Sequence, residues 1–105
     1  MKWADAEFLM SCKGADMTEA EMREVGLYWR RRLRSLTTGA EGIASMLRHI
    51  REMDPDDSKD APIVTMLRGH RRMIIEAATK LMAVAWLAEF RKDFENIAAR
   101  AERLL

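Results

Sequence analysis

Residues 18–53 read TEAEMREVGLYWRRRLRSLTTGAEGIASMLRHIREM, and the periodicity of this stretch decides the fold. Its apolar positions Met22, Val25, Trp29, Leu33, Leu36, Ala40, Ile43, Leu47 and Ile50 recur at spacings of three and four. At about 3.6 residues per turn, that spacing lines one side of a helix that packs against another. Thr18 followed by Glu21 is a capping-box pattern, in which hydroxyl and carboxylate satisfy two unpaired backbone donors, so the helix should begin at Glu19. The weak point is Thr37-Thr38-Gly39. Thr38 with Glu41 repeats the capping-box spacing, and Gly39 and Gly42 are poor helix residues. A turn there would normally destroy the phase of the seam, yet the phase survives. The spacing therefore predicts one helix over about 19–53, continuous or kinked near 37–40.

On either side of this stretch the same reasoning extends the helical pattern. A short helix over about 2–12 would contribute Trp3, Phe8 and Leu9, with Gly14 placed to end it. Asp54-Pro55-Asp56-Asp57-Ser58-Lys59-Asp60 is turn-rich and acidic, a loop over 54–60, with Asp60 as cap and Pro62 in the first turn of the next helix. From Ile63 the apolar spacing continues through Leu67, His70, Ile74, Ala77, Leu81, Val84, Leu87, Phe90, Phe94, Ile97, Ala101 and Leu104, with no proline to stop it. This predicts a single helix over 61–105, roughly 65 Å long. Between Met73 and Phe90 only Glu76, Thr79, Lys80 and Glu89 are polar, so that part needs cover on several sides. The expectation is an all-α fold, a long helical hairpin with a short N-terminal helix. A homodimer would form a helical bundle through Ile74, Leu81, Val84, Trp86, Leu87 and Phe90.

Composition sets the outer limits. The chain has 105 residues, 49% hydrophobic and 33% charged, which suits one folded domain rather than a disordered segment. Its 18 basic and 17 acidic residues leave a net charge of +1, too little to argue for nucleic acid from composition. Cys12 is the single cysteine, so no disulfide framework is expected. Asp5 and Glu7 interrupt the place of a secretory apolar core, and the longest uncharged apolar run, Leu81–Ala88, is too short to cross a membrane. These features predict a cytoplasmic protein with no membrane association.

The chemistry-bearing residues are sparse. His49 and His70 stand without the spacing of a metal or haem motif. His70 could pair with a methionine as a haem ligand, but Met is also common core filler. His49 reads as a surface side chain. No Gly-x-Ser-x-Gly or glycine-rich phosphate loop occurs, and Glu76 with Lys80 has the spacing of an ordinary ion pair. The reading is therefore no enzyme, no cofactor and no metal. A helical enzyme of the chorismate-mutase type, with arginines around a central cavity, is the third alternative.

Tyr28-Trp29-Arg30-Arg31-Arg32-Leu33-Arg34 is the local anomaly, with four arginines and two aromatics in two helical turns. Arg23, Arg30, Arg34 and Arg48 share one flank, with Leu27 and Arg31 beside them. Arginine beside Tyr or Trp is what protein interfaces enrich. Arg23, Arg30, Arg31 and Arg34, with Leu27 and Tyr28, are thus the candidate partner-binding residues. The competing account pairs these arginines with glutamates of the opposite helix or with the acidic loop.

A second basic group, Arg68-Gly69-His70-Arg71-Arg72, opens the later helix. This segment resembles the His-Arg-Arg-bearing helix of the small all-helical quorum-sensing antiactivators of the TraM and QslA kind, which are also similar in length and helix content. The resemblance covers one helix. It implies a regulatory protein that binds a LuxR-type transcription factor and prevents its DNA binding. A DNA-binding regulator is the runner-up, with Thr37-Thr38-Gly39 as the turn of a helix-turn-helix. Ala40, Glu41, Gly42, Ala44 and Ser45 would then open the recognition helix, and they supply nothing that reads base edges, so nucleic acid is disfavoured.

Overall fold

The computed structural model describes residues 17–53 and 61–105. The expected helix over 2–12, with Trp3, Phe8, Leu9 and the stop at Gly14, lies outside the described residues, as do Cys12 and the loop over 54–60.

Helix α1 spans Glu19–Met53 without interruption. Its capping box is made in both directions. The Thr18 amide donates to Glu21 Oε1 and the Glu21 amide to Thr18 Oγ1, each at 3.1 Å. Val25, Trp29, Leu33, Ala40, Ala44 and Leu47 are buried on one side. No turn forms at Thr37–Gly39. The Thr37 hydroxyl, fully buried, donates to the Leu33 carbonyl at 2.7 Å, which satisfies it within the helix. The turn that a helix-turn-helix would need is thereby replaced by continuous helix.

Helix α2 spans Ala61–Met82. Here the expectation of one helix over 61–105 is corrected. The chain leaves α2 through two tightened turns, Ala83 N–H to Lys80 O and Val84 N–H to Leu81 O, both at 3.2 Å. Val84 is extended (φ −81°, ψ 111°), a 3-10 segment follows over Ala85–Phe90, and helix α3 spans Arg91–Glu102. Among the described residues the architecture is all-α, 56 × 20 × 19 Å, with no strand.

The break has an energetic reason. A straight rod would carry Leu87, Phe90, Phe94, Ile97 and Leu104 away from the rest of the chain, whereas the fold-back leaves each at most 5% exposed. Burying such side chains contributes about 1.5–3 kcal/mol each. Interrupting a helix forgoes a few hydrogen bonds worth only about 1 kcal/mol net apiece. Packing therefore overrides helix propensity. The same fold-back corrects the proposed dimer interface: Ile74, Leu81, Val84, Leu87 and Phe90 form the core of the single chain, and Trp86 is half-buried against it. Most of the apolar belt between Met73 and Phe90 is covered from within, while Met73 itself stays exposed.

Contacts along the bundle fix the directions. Arg23, Arg34 and Glu41 of α1 meet Glu89, Asp93 and Arg100 in that order, so α3 runs parallel to α1. Arg71, midway along α2, reaches the carbonyl of Glu102 at the end of α3, while the end of α2 leads through the 3-10 segment into the start of α3, so α2 is antiparallel to both. At the level of the break, the Phe90 ring lies so close to α1 that a β carbon on Gly26 would sit 2.2 Å from it. Gly39 and Gly42, by contrast, have open space to 4 Å.

One substitution should therefore change sign along one helix. Gly26→Ala is expected to destabilise the fold by about 1–3 kcal/mol through overpacking. Gly39→Ala should stabilise it by about 0.5–1 kcal/mol through helix propensity. Urea unfolding of the two variants checks both, and equal effects would show that the Phe90 contact is not tight.

Candidate protein-interaction site

The arginine-rich turns of α1 divide between the two roles considered for them. Arg30 and Arg34 converge on one carboxylate of α3. Arg34 Nη2 lies 3.0 Å from Asp93 Oδ1, and Arg30 Nη1 lies 3.5 Å from Oδ2. The Arg30 guanidinium also sits 5.6 Å from the centroid of the Phe90 ring. Arg23 meets Glu89 at 3.7 Å, both well exposed. These three candidate binding residues fasten the returning segment to α1. The carboxylates they meet belong to α3 and the 3-10 segment, a location that could not be foreseen while residues 61–105 were read as one rod.

On the outer side of α1 the arrangement differs. Arg32 Nη1 donates to the Tyr28 hydroxyl at 2.7 Å, and its guanidinium lies 5.8 Å from the Trp29 ring centroid. Tyr28 and Trp29 meet edge to face, with centroids 5.5 Å apart. A guanidinium is thus held over the buried Trp29 ring by the Tyr28 hydroxyl rather than by a carboxylate. Arg31 is exposed beside it, while Leu27 and Tyr28 are half-buried. Arg32, absent from the expected set, belongs to this platform. Its signal was present in the sequence, since Tyr28 and Arg32 are four residues apart and neighbours on a helix surface.

The second match to the capping-box spacing has a tertiary use. Arg100 of α3 donates to Glu41 Oε1 at 2.5 Å and to Oε2 at 3.3 Å, and its Nη2 reaches Thr38 Oγ1 at 3.3 Å. This bidentate contact holds the Glu41 carboxyl below its usual range and raises Arg100, the hydrogen bond being the main cause and burial opposing it. Arg48, also on the sequence-predicted flank, lines the adjacent cleft with Arg103.

The second basic group lies elsewhere. Arg68, Arg71 and Arg72 line an open cleft of about 620 Å³ together with Ile75, Glu76 and Leu105. Arg71 Nε donates to the Glu102 carbonyl at 3.5 Å, and Arg72 Nε to Glu76 at 3.4 Å. His70 is half-buried and His49 exposed. Among the described residues, no group of three or more His, Cys, Asp or Glu side chains is placed to hold a metal ion. No described helix is long and apolar enough to cross a membrane. No protein-family model matches the sequence, and no curated protein or solved structure is significantly similar to it.

Two outcomes follow for these ion pairs. The Glu41 contribution is present above the ordinary carboxylate range and is lost as pH falls through its lowered folded value. Glu41→Gln should thus melt below the native chain near neutral pH, by no more than about 1 kcal/mol for so exposed a pair. The gap should close in acid, and thermal melts across pH read it. Arg30→Ala should cost more stability than Arg31→Ala, because only Arg30 packs on Phe90 and Asp93.

Proposed function

We propose that this chain is a non-catalytic regulatory protein that binds another protein and blocks its assembly or its access to DNA. The observation that carries this reading is the exposed Arg32, held by the half-buried Tyr28 against the buried Trp29 ring, with exposed Arg31 beside it. The Arg32 guanidinium is preorganised by that ring and a hydroxyl, so binding an acidic partner would not require it to leave a carboxylate. Aromatic and arginine side chains held in place before binding are the groups that dominate interface energetics, because little rotamer freedom remains to be lost. An acidic edge on the partner completes the electrostatics and selects against basic surfaces.

The finer form of the proposal is that the partner is a LuxR-type transcription factor, the chain acting as a cytoplasmic antiactivator. The likeness of Arg68-Gly69-His70-Arg71-Arg72 to the antiactivator helix supports it, as do the chain's size and helix content.

A stoichiometric blocker leaves a distinct trace. Adding the purified chain to a LuxR-type factor should remove its DNA binding linearly and saturate at a fixed molar ratio. Joint replacement of Arg31 and Arg32 by Ala should weaken the complex by about 2 kcal/mol or more, near 30-fold. The melting temperature should stay close to that of the native chain. Inhibition at catalytic amounts would point to an enzyme, and a shift of naked DNA with steep salt dependence would point to direct DNA binding.

A further inference from the structure

We propose that the outer side of α1 is a seam for a second copy of this chain, joined antiparallel about a two-fold axis that passes between Gly39 and Gly42. The seam lies opposite the core and differs from the interface expected at residues 74–90, which the chain fills itself.

Four observations carry it. First, the outward positions 28, 32, 35, 39, 42, 46, 49 and 53 alternate in steps of four and three, the spacing of a helix–helix seam, although α1 has already used its other side for the core. Second, large apolar side chains stand uncovered there, Met46 at 60% and Met53 at 74% exposure, with Leu36 at 37% on the flank. Third, a β carbon at Gly39 or Gly42 would meet nothing within 4 Å, so nothing among the described residues requires a glycine at either position. Each weakens a helix by about 1 kcal/mol relative to Ala, a cost that close approach of another backbone would offset. Fourth, the seam is complementary to itself. Antiparallel pairing about the glycines sets Gly39 against Gly42 of the second copy, Met46 against the small Ser35, Met53 against Tyr28, and Arg32 against the His49 imidazole. On the flank it brings Arg31 to Glu52, joining opposite charges twice over in a closed, isologous contact.

The occupant is a second copy because this register seats each exposed Met46 on the small Ser35 of the other chain and brings Arg31 to Glu52 twice. Tyr28 and Arg32 also belong to the platform described above, so self-association and partner binding there would exclude each other. The seam itself does not depend on that reading.

Sedimentation equilibrium of the native chain, from about 1 to about 200 μM, should show the mass rise from 12.1 kDa toward twice that value. A β carbon at Gly39 or Gly42 meets nothing within 4 Å among the described residues, so Gly39→Gln with Gly42→Gln should keep its helical circular dichroism, melt no lower than the native chain at about 1 μM, and remain at 12.1 kDa throughout. Arg31→Glu should weaken association at least tenfold, and adding Glu52→Lys should restore it. A native chain that stays monomeric at the highest concentration overturns the proposal, as does a double glutamine variant that dimerises like the native chain. Loss of the dimer in Arg31→Glu without recovery in the charge-swapped variant overturns the antiparallel register.

Discussion

The ring of Phe90 against the bare backbone of α1 at Gly26 is the contact from which the rest of the bundle is laid out. Phe90 closes the 3-10 segment and stands immediately before α3. Its depth against α1 sets how far along α1 the returning helix lies. Once it is seated, Glu89 falls beside Arg23, Asp93 beside Arg30 and Arg34, and Arg100 beside Thr38 and Glu41. Each of these pairs is partly exposed and weak alone. As a series they share one register, and the Arg30 guanidinium over the Phe90 ring ties the charged row to the apolar contact.

Much of this was legible in the sequence, for reasons that can be assigned to residues. The apolar spacing of α1 and its capping box are local rules and are realised as such. The break after Met82 was missed because no glycine or proline marks it. The signal was the spacing itself: Leu81, Val84, Leu87 and Phe90 are three apart in succession, the period of a 3-10 helix, before steps of four and three resume at Phe94. Reading that run as an ordinary helix made its apolar surface look excessive and assigned five core residues to a dimer interface. Thr38 and Glu41 show the opposite error. Their spacing fits a helix start, but a capping box also needs free backbone donors, and inside a continuous helix those donors are already bonded.

The arginines of α1 show why residue type alone does not locate a surface. Arg30 and Arg34 differ from Arg31 and Arg32 only in helical phase. The first two point along the groove where α3 lies and meet Asp93. The second two point outward, where Tyr28 rather than a carboxylate receives Arg32. Which arginines hold the fold and which remain for a partner is set by where the third helix returns, a matter of tertiary packing that no local pattern contains.

That return also divides the bundle in time. α2, the 3-10 segment and α3 are consecutive and can pack as a local hairpin, whereas the ion pairs joining α1 to α3 link residues 59 to 63 positions apart. Closing loops of that length costs chain entropy before the contacts reward it, so these pairs are expected to form after the folding barrier. Contacts formed late leave the rate of folding almost untouched and slow the rate of unfolding. The charged row along α1 is, in this sense, a latch on an assembled bundle, governing how long the folded chain lasts more than how quickly it is reached.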